Sequence, residues 1–374
     1  MRVTNKRKKI LIAFGTRPEA IKMCPLVRVL RACEDAEVKV CITGQHRELV
    51  YSVMKIFGVG ADFDFKIMRE GQTLSDITQK ILHSFTELLN EYTPDVIVVH
   101  GDTATAFAVT LAGFYRGIPV AHVEAGLRSY DLRSPFPEEF NRRAVSLMAT
   151  LHFAPTHDAA CNLLAEGIGA SSVFVTGNTV IDALEHTVKK GYVSKYQRRL
   201  DGKRIIFLTA HRRENQGEIL ERMLGAVRRI VDSAEDVGVI YPVHPNPKVK
   251  EVAERILGGC ERVVLCPPLD VVECHNLMAN SYILLTDSGG IQEEAAALSK
   301  PVLVMRNVTE RPEGIKAGVA ALAGTDEEQI FVTVKRVLTN KKIYEKMANA
   351  RNPYGDGKAC GKIRNILINS KIGI

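Results

Sequence analysis

The chain has 374 residues, 25% of them charged and 46% hydrophobic, which is ordinary globular composition and length enough for two domains. No apolar run approaches the roughly 18 residues of a membrane span, and the basic start Met1–Lys9 leads into a short strand without a signal-peptide core or cleavage site. The formal net charge of +7 permits acidic ligands, but the basic residues are scattered and Trp is absent, which argues against nucleic acid as a partner.

Ile10–Phe14 reads as a strand ending at Gly15-Thr16-Arg17-Pro18-Glu19, with a helix from Ala20 to Arg31 and Pro18 near its start. Arg17 and Lys22 are placed to meet an anion at that turn, or else are solvated charges of a helix start. No GxGxxG occurs, so the dinucleotide fingerprint is missing. Val38–Thr43 is the next strand, closed by Gly44-Gln45-His46-Arg47, with a helix through Ile56. Thr73–Asn90 is a long helical pattern led by Thr73 with Asp76 three residues on, a cap-like start. Pro94–Asp102 holds a β-branched run expected of a strand buried on both faces, and Thr103–Tyr115 returns to helix. Pro119–Glu124 is a strand, Leu127–Pro137 a loop rich in Arg, Ser and Pro, and Glu138-Glu139 open a helix. Strands near His152–Ala154 and Val173–Val175 complete this half.

Lys189–Lys203 is polar and basic and is the expected boundary. It gives a first domain of residues 1–188, a second of 189–355, and a tail, 356–374, expected to cross back as a helix. The second half starts with strand Ile205–Ala210, then His211-Arg212 and a helix to Val231. Val237–Val243 ends at His244; Arg262–Cys266 precedes Pro267-Pro268; Tyr282–Leu285 stops at Asp287-Ser288-Gly289-Gly290, followed by a helix and the strand Pro301–Met305. Helices over Glu327–Leu338 and Ile343–Asn349 close this half. Strand, glycine turn, helix, strand is a βαβ unit, and its turn offers N–H groups and a helix N-terminus to a phosphate. Ser288 is expected to cap that helix, Gly289 and Gly290 to admit a ligand, and Glu293 or Glu294 to take two sugar hydroxyls; the plainer reading of the glutamates is an acidic first turn. Thr209-Ala210-His211 and Asp287–Gly290 mimic protease motifs, but both lie at ends of strands that alternate with helices, so that reading is set aside. Eight cysteines without CxxC or zinc spacing, several in apolar runs as at Cys41 and Cys161, suit buried free thiols in a reducing cytoplasm.

Arg17, His46, Asp102, Glu124, His211, His244 and Ser288 all stand just beyond the C-terminal ends of expected strands. In a doubly wound sheet those ends share one edge, where ligands bind. The motifs Gly15–Lys22, Thr43–Arg47, His100–Thr103, His122–Arg128, Glu138–Arg142, Thr176–Thr179, His211–Asn215, Asp287–Glu294 and Thr309–Gly314 are similar to those of the non-hydrolysing UDP-N-acetylglucosamine 2-epimerases, in order and over nearly the whole chain. The resemblance implies an α/β protein of GT-B architecture, with two Rossmann-like doubly wound domains facing across a cleft, and usually a homodimer. It also implies reversible interconversion of UDP-N-acetylglucosamine and UDP-N-acetylmannosamine without NAD or a required metal.

By the same resemblance, Asp102, Glu124, Glu138 and His211 form the catalytic set. Arg17, Lys22, Leu269, Cys274, Ser288, Gly289, Gly290, Glu294 and Arg311 hold the UDP, with Glu294 on the ribose. Gln45, His46, Gln72, Arg212 and His244 match the contacts of a second UDP-N-acetylglucosamine that acts as an activator in bacterial relatives. Cys274 departs from the family, which often carries Phe there for the uracil; Ala297 replaces a common Pro. The chemistry suits these residue types. No carbonyl acidifies the hydrogen on carbon 2, so UDP leaves carbon 1 first, and carboxylates then remove and return a proton on opposite faces. Which carboxylate is base and which acid stays open. The rival readings are a hydrolysing epimerase, a GT-B glycosyltransferase and a non-catalytic sugar-nucleotide sensor.

Overall fold

A computed structural model describes residues 7–45, 47–69, 71–212 and 215–370. The chain divides into two units between Ala183 and Leu184 and again between Tyr354 and Gly355, so the first unit takes in the C-terminal segment. The first division falls inside the helix Thr179–Thr187, ahead of the polar stretch 189–203. That stretch is part of the second unit's body. It carries a short helix, Lys195–Arg198, and buries Leu200 so closely on Gly238 that a Cβ there would come within 3.0 Å of it.

The first unit is built on β1 (Lys8–Phe14), β2 (Ala36–Ile42), β3 (Phe63–Asp64), β4 (Val96–His100), β5 (Val120–Val123), β6 (Leu151–Ala154) and β7 (Val173–Val175). Their order is β3-β2-β1-β4-β5-β6-β7, and every pairing is parallel. All residues of β4 and β5 are buried, as strands covered on both faces require. The helix Leu74–Glu91 starts at the Thr73–Asp76 capping box and buries Ile77, Ile81, Phe85 and Leu88, one stripe at helical spacing. The direction of chain progress reverses between β1 and β4, the switch point at which such sheets bind ligands.

The helix Ala359–Asn369 packs on the helix Arg17–Arg31 of this unit. Asp182 receives its first N–H groups, from Ala359 at 3.2 Å and Cys360 at 2.8 Å, so a buried carboxylate neutralises the positive helix end. Lys8 donates to the carbonyls of Leu367 and Ser370 at its other end.

The second unit repeats the plan with β8 (Arg204–Thr209), β9 (Val237–Pro242), β10 (Val263–Cys266), β11 (Ile283–Thr286), β12 (Val302–Val304) and β13 (Ala320–Leu322). The order is β10-β9-β8-β11-β12-β13, again all parallel, with the switch point between β8 and β11. Its core joins Ile206, Leu208, Val239, Tyr241 and Leu285 to the helix Glu218–Ser233, which buries Leu220, Met223, Leu224, Val227 and Ile230. All eight cysteines are free, but Cys161 corrects the expectation of burial: it lies on the solvent side of the helix His157–Ala165, whose buried face is Ala159, Ala160 and Leu163. Among the described residues, no helix is long and apolar enough to cross a membrane.

Candidate active site

In the first unit the turns after β1, β4 and β5 meet around a cavity of about 340 Å3 whose walls include Lys22, Gln45, His100, Asp102, Glu124 and Glu138. The β1 turn is rigid. Thr16 and Glu19 form a capping box, and Glu19 accepts from the N–H groups of Gly15 and Thr16 and from the Thr103 hydroxyl. Gly15 is obligatory, because a Cβ would stand 2.1 Å from Thr43 Oγ1. Arg17 is the half-buried first residue of the helix that carries Lys22.

Asp102 follows β4 and is held from two sides. Arg142 is salt-bridged to its carboxylate, and Asn141 Nδ2 donates to its carbonyl at 2.9 Å. Arg142 is itself fixed by the fully buried Glu139, which accepts from the N–H groups of Ser129 and Tyr130. Glu124, just past β5, has a left-handed backbone with φ of 62°. Its Oε2 accepts from Lys22 Nζ and from Asn178 Nδ2, the latter at 2.7 Å, and lies 3.7 Å from His100 Nε2. Glu138, the first residue of the helix Glu138–Met148, is half-buried on the same cavity. The structure thus brings together Asp102, Glu124, Glu138, Lys22 and Gln45. Gln72 is not among the lining residues; its Nε2 is buried without a hydrogen-bond partner among the described residues. His46 lies outside the described residues.

In the second unit the turns after β8 and β11 are tied by Asp287, which is fully buried. Its Oδ2 accepts from the N–H groups of His211 and Arg212 at 3.0 and 2.9 Å and from Asn215 Nδ2, while Oδ1 lies 3.4 Å from His211 Nδ1. His211 is thereby aimed by a carboxylate behind it, with its side chain 44% exposed. Its ring stacks on that of His244, with centroids 6.3 Å apart. Burial, and then the nearby His211, lower the pKa of His244.

The helix Gly289–Ala297 begins at Ser288, whose backbone is extended, but the serine makes no side-chain cap. This corrects the capping expectation: Thr286 Oγ1 instead takes the Ser288 N–H at 2.9 Å, and the helix's first N–H groups are not consumed by a serine hydroxyl. A Cβ on Gly289 would lie 2.8 Å from Glu310 Oε1 and displace the end of that side chain, whereas Gly290 faces open space. Glu293 is fully buried and receives Arg311 Nε at 2.6 Å, so it locks Arg311 in place and is not available to sugar hydroxyls. Glu294 remains half-buried, 3.6 Å from His275 Nε2. Leu269 and Cys274 are half-buried at the start of the helix Val271–Asn280. Arg212 donates to the Asp287 carbonyl and to Glu310. Burial alone would raise the Glu310 pKa, but Arg311, Arg212 and Arg306 override it and hold the carboxyl down to about 2. Cations therefore gather beside the helix N-terminus, as an anion site requires.

Sequence reasoning quoted but gave no role to Arg142, Asn178, Asp287 and Glu310. Each acts by gripping a residue remote in sequence, and nothing local marks that.

A sequence model of the family described as UDP-N-acetylglucosamine 2-epimerase matches residues 28–368. The chain is 52% identical over 363 residues to the UDP-N-acetylglucosamine 2-epimerase of Bacillus subtilis (strain 168), covering 97% of this chain and 96% of the relative. It superimposes on the S. aureus MnaA–UDP co-structure with a TM-score of 0.91 at 48% identity, covering 96% of each chain. The UDP-GlcNAc 2-epimerase from Neisseria meningitidis, solved bound to UDP-GlcNAc, also gives a TM-score of 0.91, at 43% identity over 97% of this chain and 100% of that one.

Proposed function

The chain belongs to the UDP-N-acetylglucosamine 2-epimerase family, and on that premise we propose that it interconverts UDP-N-acetylglucosamine and UDP-N-acetylmannosamine without hydrolysing either. It is an isomerase with the two doubly wound domains of the GT-B class. UDP departs from carbon 1 first, and the proton on carbon 2 is then removed in an anti elimination that leaves a glycal. A proton then returns to the opposite face of carbon 2, and UDP adds back to carbon 1. The observation that carries this reading is the grouping of Asp102, Glu124 and Glu138 with Lys22 around one cavity. Two proton transfers on opposite faces need two carboxyl groups of opposite protonation state, and the set supplies them.

The helix end at Ser288–Gly290, with the locked Arg311, is assigned to the diphosphate, Glu294 to the ribose, and Leu269 with Cys274 to the base. Arg17 and Lys22 add positive charge for the departing group, and His211, oriented by Asp287, steadies the phosphate or carries its proton. Gln45, Gln72, Arg212 and His244 are assigned to a second, activating UDP-N-acetylglucosamine. The buried Gln72 Nε2, which has no hydrogen-bond partner among the described residues while Oε1 accepts from the Arg69 N–H, supports that role. We place the enzyme in the cytoplasm, in keeping with eight free cysteines.

Incubation with UDP-N-acetylglucosamine as the sole substrate tests the assignment. UDP-N-acetylmannosamine is the expected product; free N-acetylmannosamine with UDP would identify a hydrolysing enzyme instead.

We also propose a homodimer. The helices Ala104–Tyr115 and Glu138–Met148 pack on each other and leave Phe114, Tyr115, Phe140 and Leu147 exposed, Leu147 by 80%. Large apolar side chains left exposed on two packed helices suit a second copy. Light scattering should give twice the 41.3 kDa chain mass, and Leu147→Glu should shift it towards a single chain. A wild-type protein of single-chain mass at micromolar concentration would contradict the dimer.

A further inference from the structure

Glu124 pays for its place with a left-handed backbone, which a non-glycine residue keeps only where its surroundings over-determine it. One of those surroundings is Asn178, a residue 2% exposed whose amide has two fixed tasks. Its Oδ1 accepts the Val180 N–H at 3.0 Å at the start of the helix Thr179–Thr187, and its Nδ2 donates to Glu124 Oε2 at 2.7 Å. The orientation follows from chemistry. The Val180 N–H only donates, so the amide oxygen must face it, and the NH2 group is left facing the carboxylate.

The seat of this amide is rigid. Gly355 lies so close that a Cβ on it would stand 3.1 Å from Gly177 Cα and 3.5 Å from Asn178 N. One turn along the same helix, Asp182 holds the N–H groups of Ala359 and Cys360. The other charged or titratable groups towards Glu124 are Lys22 and His100, with Asp102 and Glu138 on the same cavity.

We infer that Asn178 is a positioning residue for the epimerisation: its amide, anchored by the helix it caps, holds Glu124 in the pose and the ionised state that proton transfer at carbon 2 requires. An NH2 group can only donate, so it favours the carboxylate over the carboxylic acid. The assignment rests on the proposed function.

Two variants separate this role from capping. Asn178→Asp and Asn178→Ser both keep an oxygen for the Val180 N–H, and both remove the donor to Glu124. Each is expected to lower kcat by roughly 10- to 100-fold with KM nearly unchanged, because a misplaced reacting group costs turnover more than binding. In Asn178→Asp the acid limb of the kcat/KM profile should also move to higher pH by about one unit, since a second carboxylate disfavours the ionised Glu124. Asn178→Ser should melt close to wild type, as a purely structural role would not predict alongside lost turnover, whereas Asn178→Asp should melt lower because two buried carboxylates then face each other. Wild-type kcat and an unmoved acid limb in folded variants overturn the assignment, and Asn178→Ser decides alone if the aspartate variant does not fold. A wild-type enzyme that makes no UDP-N-acetylmannosamine overturns the functional reading on which the assignment stands.

Discussion

Asp102→Asn and Glu124→Gln are each expected to cut epimerase turnover on the order of 1,000-fold while leaving UDP affinity within a few-fold. Both substitutions keep the side-chain volume and remove the group that accepts or delivers a proton, a function worth roughly 10²–10⁴ in rate. The proposed diphosphate site at Ser288–Gly290 and Arg311 belongs to the second unit, whereas both acids belong to the first. The two variants should differ in stability. Asp102→Asn weakens a salt bridge to Arg142, which keeps its contact with Glu139. Glu124→Gln keeps a carbonyl oxygen for the Lys22 ammonium and the Asn178 NH2 group, which both donate to Oε2, but removes the negative charge facing the buried Lys22. Losing one partner of a buried ion pair costs about 3–5 kcal/mol, so this variant should melt lower. Calorimetry with UDP, beside a product assay, decides the matter. Loss of UDP binding in step with activity would make these acids ligand-positioning groups.

The elements that sequence made legible were those whose signals are local. The Thr73–Asp76 cap, the β-branched run that became β4 and the glycine turn after β11 each announce themselves within a few residues. The two-residue β3 and the Ala-Ala-Leu strand β13 carry no periodicity to read, and they form because longer neighbours, β2 and β12, offer them an edge. The helix Val271–Asn280 was hidden behind Pro267-Pro268, although its Asp270 cap was in plain view.

The site divides in the same way. The strand-end rule collected Asp102, Glu124, His211 and Ser288, because position after a parallel strand is a local property. The grips that fix their geometry span 40 residues for Arg142 to Asp102, 54 for Asn178 to Glu124 and 76 for Asp287 to the His211 N–H. No window of sequence contains such pairs. Glu293 illustrates the cost: the acidic first turn read from sequence fails, because the helix begins at Gly289 and puts Glu293 in its second turn, and only its buried bond to Arg311 shows that it locks the arginine.

In the proposed epimerisation UDP leaves and the proton on carbon 2 exchanges before UDP returns, with carboxyl groups of the first unit carrying the proton. In heavy water a carboxyl facing a cavity of about 340 Å3 equilibrates with solvent, so the proton it delivers is a deuteron. The direct measurement is mass spectrometry, with proton NMR, of UDP-N-acetylmannosamine formed from protiated UDP-N-acetylglucosamine in deuterium oxide. One deuterium per product molecule, at carbon 2, is the expected result. Epimer formed with its carbon-2 protium intact would contradict it.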